Sequence, residues 1–129
     1  MFAAGTLLTA NSIQRVDTMS HVWPPLIKAV WYGRIYEMAA LLAGGADPND
    51  PKTDGSGVTP LHIACLNGRA EIAATLLAAG AKVNQAMNDN SGHTPLYIAC
   101  QQGHIEIATA LIAAGAKVDQ ATDYGVTPL

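Results

Sequence analysis

The sequence predicts an all-α chain of repeated helix-turn-helix units, and three observations predict it. Thr59-Pro60-Leu61-His62-Ile63-Ala64-Cys65 returns 35 positions later as Thr94-Pro95-Leu96-Tyr97-Ile98-Ala99-Cys100 and begins again at Thr127-Pro128-Leu129. Each copy opens with helix-start chemistry: a Thr hydroxyl that can accept from the first free amides, then a Pro whose φ suits the first helical position. Each full copy meets a glycine, Gly68 or Gly103, after about two turns.

Residues 1–22 carry no copy of the repeat. Leu7, Leu8, Ile13 and Val16 leave room for a short helix around residues 6–18, serving as a lid on the first repeat; a disordered leader is the other reading. Repeat 1, residues 23–57, is divergent: Pro25 to Gly33 aligns with Pro60 to Gly68, but Pro24 replaces the capping Thr. Lys28 stands where later copies have Ile63 and Ile98, and Glu37 where they have Ile72 and Ile107. Charged residues at repeat-to-repeat positions fit a unit with no neighbour on that side, so repeat 1 is expected to be the N-terminal cap.

Repeat 2, residues 58–92, places Leu61, Ala64 and Cys65 at i, i+3 and i+4, an apolar stripe whose small Ala lets a neighbouring helix approach. Its second helix is expected near Ala70–Ala79, with Ile72, Ala73, Leu76 and Leu77 inward and Gly80 just past the end. Repeat 3, residues 93–125, repeats the pattern with Ile105, Ile107, Ala108, Leu111, Ile112 and Gly115. Residues 126–129 start a fourth copy, and the expectation is a fragment of a longer chain, with the end of repeat 3 left as an uncapped surface.

The run T-P-L-H-x-A from Thr59 to Ala64, followed by Gly68, a second helix ending at Gly80, and Ala81-Lys82-Val83-Asn84, resembles the ankyrin repeat. The resemblance spans residues 23–129. It implies an α-solenoid of helix-turn-helix units joined by β-hairpin loops, working as a non-enzymatic module that binds another protein. On the same resemblance, His62 makes hydrogen bonds at the helix-hairpin junction, and a partner meets the fingertips and the exposed ends of the first helices. The first two fingers are two residues longer than the third, which extends that side without disturbing the stack.

Frame positions agree between repeats, whereas the positions expected at the partner do not. Before the capping residue stand Trp23, Val58, His93 and Val126; before the inter-helix glycine stand Trp31-Tyr32, Leu66-Asn67 and Gln101-Gln102. The partner-binding set is therefore Trp23, Trp31, Tyr32, Val58, Leu66, Asn67, His93, Gln101 and Gln102, with Tyr124 of the third finger added. Its aromatics carry most weight, because large rings with a polar handle are enriched in binding hot spots. Trp23 and Trp31 have a second reading as covers of the N-terminal repeat.

Other chemistry finds little support. The two cysteines, at one repeat position in adjacent units, are too far apart to bridge and are expected as reduced, buried thiols. The acidic stretch Asp47 to Gly55 fails the calcium-loop pattern, since Pro51 occupies a ligand position, and Gly55-Ser56-Gly57 lacks the Lys of a phosphate loop. No catalytic residue, cofactor or metal is expected. A net charge of −3 offers no attraction to nucleic acid or anionic membrane. A cytoplasmic, intracellular monomer is expected, with self-association through the uncapped repeat and a secreted effector left open. The rival reading is a passive spacer or regulatory arm of a larger protein whose catalytic domain lies elsewhere.

Overall fold

The computed structural model describes residues 23–52, 55–88, 92–120, 125 and 127–128. Six helices and no strand occur among them: α1 Pro25–Trp31, α2 Ile35–Ala43, α3 Pro60–Asn67, α4 Ala70–Ala78, α5 Pro95–Gln102 and α6 Ile105–Ala113. Each repeat contributes one pair, and the first helices α1, α3 and α5 pack side by side in a row. The expected leader helix, Tyr124, Val126 and Leu129 lie outside the described residues. No described helix is long and apolar enough to cross a membrane.

Helix starts follow the local chemistry. Thr59 Oγ1 accepts the His62 amide at 3.4 Å and Thr94 Oγ1 the Tyr97 amide at 3.2 Å, each followed by Pro at the first helical position. Pro24 at the start of α1 makes no such cap. Helices α3 and α5 end at Gly68 and Gly103, with φ of 71° and 75°, a left-handed turn that other residues adopt only with strain. The second helix of repeat 2 ends one residue earlier than expected, and Gly80 follows with φ of 100°.

The core is a ribbon along the row rather than a central cluster. Leu26, Leu61 and Leu96 are at most 2% exposed, and Ala29, Ala64 and Ala99 are fully buried where neighbouring first helices meet. The isoleucines opposite the charged positions of repeat 1 behave likewise: Ile63, Ile72, Ile98 and Ile107 are all buried. Lys28 is half-buried, and Glu37 is exposed, 3.7 Å from Arg34.

Among the described residues, single backbone bonds close the fingers. The Lys52 amide donates to the Val58 carbonyl at 2.8 Å, and in the next repeat Met87 donates to the His93 carbonyl at 2.9 Å. The Asn88 amide reaches the Ser56 carbonyl at 2.6 Å, tying the second finger to the first. Single bonds of this kind do not build a ladder among the described residues.

Candidate functional site

One face of the row is formed by the two residues before each inter-helix glycine, at or just past the end of the first helix. These residues fall in two columns: Trp31, Leu66 and Gln101 in one, Tyr32, Asn67 and Gln102 in the other. A helix end two turns from its cap is beyond the reach of the next repeat's buried stripe, so the side chains there emerge at the surface. Tyr32 is 36% and Leu66 42% exposed, Asn67, Gln101 and Gln102 are exposed, and Trp31 is half-buried. None of the six is charged, and the side-chain amides of Asn67, Gln101 and Gln102 make no hydrogen bond among the described residues.

Trp23 is placed differently. It lies in the core at 9% exposure, its ring meeting Trp31 edge-on at 5.8 Å between centroids. The Lys52 ammonium, from the first finger, stands 4.4 Å above the Trp23 ring and 5.7 Å from that of Trp31. Such cation–π contacts hold a finger to its helix. Of the two readings of Trp23, this placement favours the cover of the N-terminal repeat, with its ring joining the first helix to the finger. Arg34 covers the Tyr32 ring in the same way at 4.8 Å.

Val58 and His93 sit at finger bases. Val58 is half-buried against the core, and His93 stacks on Tyr97 at 4.4 Å with 23° between the rings. The His93 carbonyl takes the Met87 amide and lies 3.2 Å from His62 Nε2. His62 itself is fully buried: Nδ1 accepts the Thr59 amide at 3.0 Å, and Nε2 lies 2.8 Å from the Gln85 carbonyl. Carbonyls only accept, so Nε2 carries the proton and Nδ1 is bare. The neutral ring thus ties a helix start to the second finger and to repeat 3, as the resemblance implied.

Contacts between repeats also use side chains outside the apolar frame. A Cβ on Gly33 would meet the Arg69 guanidinium at 2.5 Å, and one on Gly68 the His104 ring at 2.6 Å. The side chain following each inter-helix glycine therefore lies over the glycine of the preceding repeat. At Gly103 a Cβ would meet nothing within 4 Å. Asn49 Oδ1 accepts the Lys82 amide at 2.6 Å, and Asn84 Oδ1 accepts the Lys117 amide at 2.8 Å. The signal was available as recurrence: Arg34, Arg69 and His104, like Asn49, Asn84 and Asp119, recur at the same spacing as the helices.

The other end of the row shows what stacking covers. Cys65 is fully buried beneath repeat 3, whereas Cys100, at the same position, is half-buried. Cys100, Ala108 and Ile112 line a groove of about 250 Å³, beside Ile105 at 78% exposure. Both thiols are free; burial, with Cys100 nearby, pushes Cys65 up to about 12, and burial also raises Cys100. Among the described residues no three His, Cys, Asp or Glu side chains converge as metal ligands would.

No curated protein matches the chain. A family model of ankyrin repeats, in three copies, matches residues 26–122. That span takes in five of the six described helices whole and all of α1 but Pro25, with the Thr-capped starts, the inter-helix glycines and the rungs between repeats, and the chain belongs to the ankyrin repeat family.

Proposed function

We propose that this chain is a non-enzymatic protein-binding module that engages its partner through the exposed ends of the first helices and the adjoining fingers. Ankyrin repeats are generally protein–protein interaction modules. The observation that carries the reading is the contrast within each first helix. Leucine and alanine recur and are buried one or two turns from the end, while the two residues before the inter-helix glycine change identity from repeat to repeat and, half-buried Trp31 apart, are exposed. Such a face is set before binding, so a partner loses its own freedom but orders little of the module.

Tyr32, Leu66, Asn67, Gln101 and Gln102 form the contact set, with Trp31 at its edge and Val58 and His93 supporting the fingers. Repeat 1 is the N-terminal cap, a reading supported by Lys28 and Glu37 in place of buried isoleucines. The module acts as a monomer inside the cell, and its groove beside Ile105 is where copies would meet at high concentration. To test the reading, a partner is captured with the full chain, purified, and titrated against Tyr32→Ala/Leu66→Ala. Affinity falls at least about tenfold with the melting temperature within about 2 °C of the parent. Unchanged affinity would remove the face from the interface.

A further inference from the structure

Building on that reading, we propose that the repeat 1 end of the face takes an acidic peptide segment, whose carboxylates pair with Arg34 and Arg69 beside Tyr32. Guanidiniums from adjacent repeats are fixed on the same three residues. Arg34 lies over the Tyr32 ring at 4.8 Å, and Arg69 reaches back from repeat 2 to pack on Gly33, its Nη2 3.5 Å from the Trp31 carbonyl. Held in this way, they lose little further freedom when an oxyanion arrives. Lys52 adds a third cation against Trp31.

The chain answers these charges poorly. Among the described residues the single ion pair joins Arg34 to Glu37 at 3.7 Å, with both side chains about half-exposed, a pairing that contributes little. Arg69 has just its long bond to Trp31, and its buried Nε meets no acceptor, so a donor on a charged group is desolvated without compensation. The residue is half-buried, which leaves part of it open to a ligand. Glu71 lines a cleft of about 260 Å³ with Arg69, Asn67 and Ile35 but makes no ion pair, and neither does Asp50 near Lys52. A carboxylate can take two parallel N–H bonds from one guanidinium, which none of these acids supplies. Phosphate offers the same acceptors, but a nucleic acid would bring a long polyanion to a chain of net charge −3, whereas a short acidic segment meets the local cations alone. A basic segment would set its charge against three of the same sign.

The probe is a capped, dye-labelled peptide, Ser-Glu-Glu-Leu-Glu-Glu-Ser, titrated onto the full chain by fluorescence anisotropy beside its Gln counterpart. The Glu peptide binds at least about tenfold more tightly and loses affinity several-fold between low and high salt. Arg34→Gln, at an exposed side chain, removes most of that preference with the melting temperature within about 2 °C of the parent. Arg69→Lys keeps the charge but not the fork, and still weakens binding. Glu71→Gln strengthens it about twofold or more by removing a like charge, while Lys117→Gln in repeat 3 changes it less than about twofold. Equal affinity for the two peptides, an indifferent Arg34→Gln, or weaker binding by Glu71→Gln overturns the proposal. An oligonucleotide of equal charge that binds more tightly than the Glu peptide overturns the choice of a peptide. A random-peptide display selection on the same chain separates the two levels. Binders that need Tyr32 and Leu66 but carry no acidic residue overturn the acidic assignment alone. Binders indifferent to Tyr32→Ala/Leu66→Ala, with no binding of the Glu peptide, overturn the contact face as well.

Discussion

Gly68 and Gly103 form a matched pair on which the stacking of repeats can be measured. Both close a first helix, at φ of 71° and 75°, so alanine at either carries the same left-handed backbone strain, about 1–2 kcal/mol. The surroundings differ. At Gly68 the new Cβ would lie 2.6 Å from the His104 ring, well inside contact distance, whereas at Gly103 it meets open space. His104 has only two side-chain torsions with which to withdraw, and doing so uncovers the junction it now covers. Gly68→Ala is therefore expected to cost about 1 kcal/mol more than Gly103→Ala, about 2–3 against 1–2 kcal/mol. Gly33→Ala falls between, since the Arg69 guanidinium at 2.5 Å lies at the end of a longer side chain. Urea unfolding followed by circular dichroism gives each value. Adding His104→Ala supplies the control, because with the ring gone Gly68→Ala should fall to the Gly103→Ala cost, a coupling of about 1 kcal/mol. Equal costs at the two glycines, or no coupling to His104, would refute the stacking account.

Two further expectations follow the buried groups. His62→Ala leaves the Thr59 amide and the Gln85 carbonyl unpaired inside the stack and opens a cavity, a loss of about 3–5 kcal/mol by urea unfolding. Tyr97→Ala, at the equivalent but half-buried position, costs about 1–2 kcal/mol through the lost stack on His93. The thiols set an alkaline limit. With Cys65 raised from 9.0 to about 12, the unfolded chain gives up its proton first, so stability is unaffected below about pH 9 and falls as pH rises from there toward 12. Urea midpoints at pH 8, 10 and 11 should decline in that order, and Cys65→Ala should flatten the decline. At pH 8 iodoacetamide should alkylate half-buried Cys100 well before Cys65, read by mass spectrometry.

The fold was legible because its signals are local. A Thr-Pro pair, an apolar residue at every third or fourth position and a glycine at the end act over a few residues, and they set the helices whatever lies around them. Recurrence at 35 residues then places those helices in a row. The candidate face was legible in part for the same reason, since positions that vary over a constant frame gave Tyr32, Leu66, Asn67, Gln101 and Gln102, all of which emerge at the surface. Sequence alone left Trp23 and Trp31 with two readings.

In the structure Lys52 comes back from the finger over both rings, a contact between residues far apart along the chain. The roles of Arg69, His104, Asn49 and Asn84 are of the same kind. Each acts on a neighbouring repeat, so what it touches depends on how units stack and not on the residues beside it. The sequence by itself determined where helices start, end and turn inward, because backbone chemistry is local. Only the tertiary structure decided which polar and aromatic side chains are spent between repeats and which stay exposed, because burial is a property of the stack.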